Sequence, residues 1–223
     1  MKRRAARDPS PPTLPVLPTE PVSRVFGFDR GKPVDRWYIE RFLAEHAADV
    51  RGRVLEVAES TYTGWYGGDE VTTSDVLYAS AENPDATVVG DLTTGDGIAE
   101  AAFDCFICTQ TLPFIYDVRA ATAGTRALLA PGGVLLATVP GISQISREDM
   151  RDWGDWWRFT ARSAQRLFAD VYGEDHVEVT PHGNDRAAAG FLYGLAAEEL
   201  GTTALEPVDP DFHLLITIRA QRT

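Results

Sequence analysis

Three acids recur at the downstream ends of short apolar runs. Glu56 stands in Arg53-Val-Leu-Glu-Val-Ala58, Asp75 follows Val71-Thr-Thr-Ser74, and Asp91 follows Ala86-Thr-Val-Val-Gly90. A carboxylate so placed can accept hydrogen bonds from both hydroxyls of a ribose, and a second can receive an adenine amino group. Glu56 and Asp75 are 19 positions apart (75 − 56), close to the ~20-residue spacing from a nucleotide loop to a ribose-binding acid. Such a set suits a nucleoside that also carries positive charge, as on a sulfonium and an ammonium, and repels a phosphate-rich dinucleotide. The competing reading is that Asp75 and Asp91 merely start turns, as aspartate often does. Taken together, the acids favour the nucleoside site.

Groups able to move a proton are less clearly marked. His182, in Pro181-His-Gly-Asn184, follows a late apolar run, and Asp117, Asp152 and Asp155 are the other candidates for a catalytic acid or base, Asp117 and Asp155 being preferred. Taken alone, His182 also reads as an ordinary surface or core histidine. The segment Trp153-Gly-Asp-Trp-Trp-Arg-Phe-Thr160 offers three tryptophans and an arginine, enough for an apolar wall against a ring, a sugar or a lipid. Within it, Trp157 and Phe159 read as anchors of the following helix, and Trp153 and Arg158 as substrate-binding residues. Gly141-Ile-Ser-Gln-Ile-Ser146 reads as a mobile connection over that pocket.

These residues need elements to hold them. Arg53–Ala58, Val71–Ser74, Ala86–Gly90, Phe103–Cys108 and Val134–Val139 read as successive strands, with Val177–Thr180 and His213–Ile218 as late ones. Helices are expected from Pro33 to about Ala48, from Asp117 to Leu129, from Ala161 to Phe168 with Thr160 as its cap, and from Arg186 to Leu200. Short apolar strands alternating with helices imply an α/β domain whose mainly parallel sheet is covered on both faces. In such a sheet, ligands bind beyond the carboxyl ends of the strands where strand order reverses. That rule selects Glu56 to Tyr62, Asp75, Asp91-Leu92 and Thr109-Gln110-Thr111. Cys105 and Cys108 share a C-x-x-C spacing, but on a strand residues three apart face opposite ways. They read as two core thiols, and the four histidines show no ligand spacing, so no metal site is expected.

The chain has 223 residues, 44% of them hydrophobic, and a net charge of −12. The acidity disfavours a nucleic-acid partner. No apolar run reaches the ~18 residues of a membrane span, and the basic start leads into proline rather than an apolar stretch, so a cytoplasmic place is expected. Six prolines between Pro9 and Pro21 mark residues 1–24 as a disordered leader, with one domain over 25–223. Two lysines against many arginines, with abundant Ala, Asp and Gly, suggest a GC-rich bacterial source. A homo-oligomer is left open.

The ordered series Arg53-Val-Leu-Glu-Val57, Thr73-Ser-Asp75, Val89-Gly-Asp-Leu92, Phe103-Asp104, Leu129-Ala-Pro-Gly-Gly-Val-Leu-Leu136 and Trp157-Arg-Phe-Thr160 resembles the class I S-adenosylmethionine-dependent methyltransferases of the small-molecule type. The resemblance spans roughly residues 52–220. It implies a Rossmann-like, seven-stranded, mostly parallel sheet with an antiparallel last strand, and S-adenosylmethionine across its carboxyl edge. By position it implies that Glu56 marks the end of the first strand, Asp75 holds the ribose, Asp91 and Leu92 flank adenine, and Thr109 and Gln110 line the methionine side.

One departure is large. Where the family carries acid-x-Gly-x-Gly-x-Gly, this chain reads Glu56-Val-Ala-Glu-Ser-Thr-Tyr62. Glycine there permits positive φ and close approach to the cofactor. Ala58 and Ser60 are small enough to stand in, whereas Tyr62 sets a ring where the family leaves space. Either the loop is rebuilt, with Gly64, Gly67 and Gly68 turning later and Tyr62 or Trp65 covering the cofactor, or the site has been repurposed. The function expected is methyl transfer to a small molecule, a sugar or natural-product hydroxyl being favoured. The alternatives are cofactor-independent cyclisation, isomerisation or hydrolysis on the same fold, or a non-catalytic partner protein.

Overall fold

A computed structural model describes residues 19–223. The basic start and most of the proline-rich leader expected over 1–24 lie outside the described residues. Residues 22–24 are already anchored. Val22 N–H donates to the Tyr193 carbonyl at 2.9 Å, and Ser23 is buried, its Oγ accepting from the Val25 and Gly27 amides.

Seven strands form one sheet: β1 Gly52–Val57, β2 Val71–Tyr78, β3 Val88–Val89, β4 Phe103–Thr109, β5 Leu129–Pro140, β6 Val177–His182 and β7 Leu215–Gln221. Their order is β3-β2-β1-β4-β5-β7-β6. All neighbours pair in parallel except β7, which runs antiparallel to β5 and β6. The helices are α1 Val34–Glu45, α2 Thr61–Tyr66, α3 Val118–Leu128, α4 Arg147–Asp152, α5 Ala161–Tyr172, α6 Asp185–Tyr193, α7 Ala197–Leu200 and α8 Thr202–Leu205. No helix among the described residues is long and apolar enough to cross a membrane.

The pleat of β4 explains why the sheet lies in the middle of the molecule. Phe106 and Cys108 point into a core shared with Phe168 and Tyr172 of α5, while Cys105 and Ile107 point into a second core with Ile39, Phe42 and Leu43 of α1. A strand buried on both faces must be apolar throughout, and β4 is, apart from exposed Asp104 and the half-buried Thr109 at its carboxyl end. The two thiols therefore sit on opposite faces, both free and both fully buried. Burial raises the Cys108 thiol to about 12, so it stays protonated.

Two sequence expectations shift. β2 does not end at Asp75: Val76 and Leu77 are buried, and the strand continues to Tyr78 in register with Glu56 and Val57. Asp75 lies opposite Leu55, three residues and about 10 Å short of the strand's carboxyl end. The helix expected over Arg186–Leu200 is broken. Gly194 takes a left-handed turn at φ 76° and packs so closely on Ser23 that a Cβ would meet its carbonyl at 2.5 Å. The cap expected at Thr160 is present, with Thr160 Oγ1 accepting from Ser163 N–H and Ser163 Oγ accepting from Thr160 N–H.

Candidate active site

The strand order reverses between β1 and β4, and a cleft of about 670 Å³ opens above their carboxyl ends. Its floor is Glu56 to Glu59 after β1, Leu77 to Ala79 at the end of β2, Gly90 to Thr93 after β3, and Thr109 to Thr111 after β4. One wall comes from Phe26, Phe28, Asp35 and Arg36; the other from Phe114 to Tyr116 and from Ser143, Gln144, Trp153 and Arg158.

Both strands flanking the reversal are followed directly by a non-glycine residue at positive φ, Ala58 at 69° after β1 and Gln110 at 50° after β4. Ala58 is held there by its amide donating to the Leu77 carbonyl at 2.9 Å and by Asn83 Nδ2 donating to its carbonyl at 2.8 Å. Gln110 N–H donates to the Thr138 carbonyl at 3.0 Å. Left-handed backbone costs an alanine roughly 1–2 kcal/mol, and such strain persists where the surroundings hold it, often around binding sites. At the first of the three glycine positions the left-handed backbone is thus present without the glycine, whereas Ser60 at the second stands at φ −123° and Tyr62 at the third lies within α2.

The replaced loop folds as α2, and Glu56 explains why so short a helix stands. Its buried carboxylate accepts from Tyr62 N–H at 3.1 Å, Thr63 N–H at 2.8 Å and Thr63 Oγ1 at 2.7 Å, meeting the orphan donors of the first turn. Burial still outweighs these bonds and raises its pKa. Glu56 borders the cleft, but it works as a helix cap. Ser60 precedes α2 outside the cleft lining. Tyr62 does not cover the slot: its ring is buried beside Tyr66, and its hydroxyl accepts from Arg36 Nη1 at 2.9 Å. Trp65 is exposed and also off the cleft.

Asp75 is off the cleft as well, because β2 carries it below the rim. Its carboxylate is bound by Arg53 Nε at 2.7 Å and Thr87 Oγ1 at 2.8 Å. Asp91 and Leu92 do border the cleft. Asp91 turns its carboxylate onto Thr93 Oγ1 and N–H, both at 2.6 Å, and these bonds hold it below the usual carboxylate range.

The catalytic candidates separate. His182 lies in a small pocket remote from the cleft, bonded to Thr217 Oγ1 at 3.0 Å and packed 5.6 Å from the Tyr38 ring. Asp117 caps α3 by accepting from Ala120 N–H at 3.0 Å and is not in the cleft. Asp155 borders the cleft, but Arg158 Nη2 at 2.8 Å and Ser146 N–H at 3.0 Å occupy its carboxylate. Burial alone would raise its pKa; these donors, Arg158 foremost, bring it below the usual range. Trp153 and Arg158 both line the cleft. The Trp153 ring stands edge-on to Tyr78 at 5.9 Å, and Arg158 also donates to the Gln144 carbonyl at 2.7 Å.

The residue that the sequence reading missed is Asp35, in the first turn of α1. It faces the cleft, half-buried, accepts from Arg36 N–H at 2.8 Å and from the Gln110 side chain, and desolvation raises its pKa against the pull of Arg36 and these bonds. Among the described residues no lysine or arginine nitrogen reaches salt-bridge distance of it. Pro33 signalled where α1 starts, but nothing in the spacing linked that turn to acids twenty or more positions away. No group of His, Cys, Asp and Glu among the described residues is arranged to hold a metal ion.

No protein-family model matches the chain, and no curated protein matches its sequence. Solved structures do match its fold. The N-methyltransferase NodS of Bradyrhizobium japonicum, in complex with S-adenosylhomocysteine, aligns at 11% identity and a TM-score of 0.53 over 86% of this chain and 89% of its own. An S-adenosylmethionine-dependent methyltransferase of Archaeoglobus fulgidus aligns at 9% identity and 0.52, over 84% and 94%. The phosphoethanolamine N-methyltransferase 2 of Haemonchus contortus, in complex with S-adenosylmethionine, aligns at 11% and 0.54, over 83% of this chain and 52% of its own. With its strand order, single reversed strand and cleft at the point of reversal, the chain has the fold of the class I S-adenosylmethionine-dependent methyltransferases.

Proposed function

We propose that this chain is an S-adenosylmethionine-dependent methyltransferase acting on a small molecule. The observation that carries the reading is the left-handed backbone at Ala58 and Gln110 on either side of the strand reversal. It keeps the approach to a nucleoside open although the family's glycines are missing. The cleft's volume lies within the ~300–1,000 Å³ of small-molecule sites. Asp91 and Leu92 would flank the adenine, Tyr78 and Ala79 would meet the ribose in place of Asp75, and Ala58 and Gln110 would border the methionine. The cofactor supplies a methyl group on a positively charged sulfonium, and the cleft's carboxylates favour that charge. Phe28 and Trp153 in the cleft lining would offer aromatic surface to a small-molecule acceptor.

Isothermal titration of the protein with S-adenosylmethionine and S-adenosylhomocysteine tests this. Saturable one-to-one binding of both is expected, unaffected by Asp75→Asn. Absence of binding by either would remove the proposal. One observation favours a rival: β2 ends at Tyr78 with no carboxylate at the ribose position. Turnover that survives complete removal of the cofactor would support cofactor-independent chemistry on this fold.

A further inference from the structure

We infer that Arg36 receives a ligand carboxylate in the cleft, and that Tyr62, standing at the third glycine position of the family's loop, is the positioning residue that aims it. The inference rests on the methyl-transfer reading and adds to it the group that answers negative charge.

Two arginines line the cleft, and only one is fully paired. Arg158 binds both Asp155 oxygens and the Gln144 carbonyl. Arg36, on the first turn of α1, makes one side-chain hydrogen bond, from Nη1 to the Tyr62 hydroxyl at 2.9 Å, and that partner is neutral. Two carboxylates stand nearby, each bound to other donors. Asp35 accepts from the Arg36 N–H and the Gln110 side chain, and Glu59 accepts from Thr61 Oγ1 at 2.8 Å. Among the described residues no carboxylate reaches salt-bridge distance of the Arg36 guanidinium. Its Nε and Nη2 meet no protein acceptor there either.

Tyr62 explains why this guanidinium stays at the wall. Its amide donates to the buried Glu56 carboxylate at 3.1 Å, and its ring is buried beside Tyr66 at 6.3 Å and edge-on to Trp65 at 5.7 Å. Held at both ends, the side chain gives its hydroxyl a fixed place. The Phe28 ring supports the guanidinium at 5.9 Å from its centre. A glycine at position 62 would supply neither ring nor hydroxyl. Tyr62 does not line the cleft itself and acts through Arg36.

Charge sets the class of ligand. A planar guanidinium fork matches a carboxylate through two parallel hydrogen bonds. A phosphate monoester, at about −1.5 to −2 charge, would also face the cleft's own Asp35, Glu59, Asp91 and Asp149. One unpaired guanidinium balances one negative charge. Two ligands could bring that carboxylate: the methionine end of the cofactor, which Ala58 and Gln110 would border, or the acceptor.

The test is titration calorimetry on the full chain with two pairs of probes. The first pair is S-adenosylhomocysteine and its decarboxylated analogue, which keeps the nucleoside, the thioether and the ammonium. The second, on protein saturated with S-adenosylhomocysteine, is 3-phenylpropionate and 3-phenyl-1-propanol. In one pair the carboxylate is expected to bind at least about tenfold tighter, equivalent to ~1.4 kcal/mol. A preference in the first pair assigns the carboxylate to the cofactor, and in the second to the acceptor. Arg36→Met should erase it without changing affinity for the uncharged-end partner of the pair; Arg36→Gln serves the same purpose if Arg36→Met does not fold. Arg36→Lys should keep part of it, through charge without the fork. Tyr62→Phe, which keeps the ring and removes the anchor, should reduce the preference to about threefold with unchanged far-ultraviolet circular dichroism. No preference in either pair, or one that survives loss of the Arg36 charge, overturns the inference, and a full preference in Tyr62→Phe overturns the part given to Tyr62. If S-adenosylhomocysteine does not bind, the methyl-transfer reading fails. The second pair on the unloaded protein then decides by itself whether Arg36 takes a carboxylate.

Discussion

Ala58 shows at the residue scale how a motif can vanish from a sequence and persist in a backbone. Its φ of 69° predicts that Ala58→Gly removes strain, with the greater freedom of glycine in the unfolded chain taking part of the gain back. A net rise of about 0.5–1 kcal/mol in denaturant unfolding is expected, whereas Ala58→Val, branched at Cβ, should lose stability. Asp35 makes a second residue-scale prediction. Its folded pKa is raised by burial, so the folded state holds the Asp35 proton more tightly than the unfolded chain does. Above the folded pKa the enclosed charge opposes folding, and that opposition fades as pH falls toward the unfolded value of about 3.9. Asp35→Asn should therefore raise the melting temperature near pH 7–8, the gain shrinking as pH drops to about 4. A carboxylate in a first helical turn is usually worth ~0.3–1 kcal/mol, and an Asn variant less stable than the parent at neutral pH would show that this term prevails. Glu56 was legible as a strand-end acid; its use as a cap was hidden, because the amides of Tyr62 and Thr63 that it binds lie six and seven positions on.

At the scale of elements, the strands were readable because each is a short apolar run with a polar stop, and β4 between its two cores is the clearest case. β2 was misjudged because Thr72, Thr73 and Ser74 make a polar prelude, and the buried part comes only with Val76 and Leu77. That miscount moved Asp75 from mid-strand to the rim. The Gly194 break was hidden for another reason: Ser23, the residue it packs against, lies 171 positions earlier (194 − 23). Helix α3 supplies the test at this scale. In an exposed helix interior, Gly→Ala gains roughly 0.5–1 kcal/mol. At Gly124 the added Cβ would overlap the Leu92 carbonyl oxygen, and Leu92 borders the cleft. Gly124→Ala should instead cost about 1–3 kcal/mol and weaken S-adenosylhomocysteine binding by displacing Leu92, both readable by titration calorimetry and chemical denaturation.

For the molecule as a whole, the architecture was written along the chain in local patterns, while the site was written across it. The floor residues after β1, β3 and β4 could be found from strand ends. The wall carrying Phe28, Asp35 and Arg36 could not, since only folding brings α1 over the sheet edge. If ligand and fold are coupled as one unit, S-adenosylhomocysteine at about 100 times its dissociation constant should add ~2.7 kcal/mol. For a chain of this size that is roughly 5–10 °C in melting temperature.

Ser23 lies outside the cleft, yet its hydroxyl fixes the amides of Val25 and Gly27, and the neighbouring Arg24 carbonyl accepts from Gln144 on the opposite wall at 3.2 Å. The cleft wall carrying Phe26 and Phe28 is therefore tied down through a serine that does not line the cleft. Cutting the chain after residue 24 should leave the sheet folded and let Phe26 and Phe28 swing free. Such a trimmed protein should keep its far-ultraviolet circular dichroism while S-adenosylhomocysteine binds more weakly in titration calorimetry, because one wall of the cleft has lost its anchor.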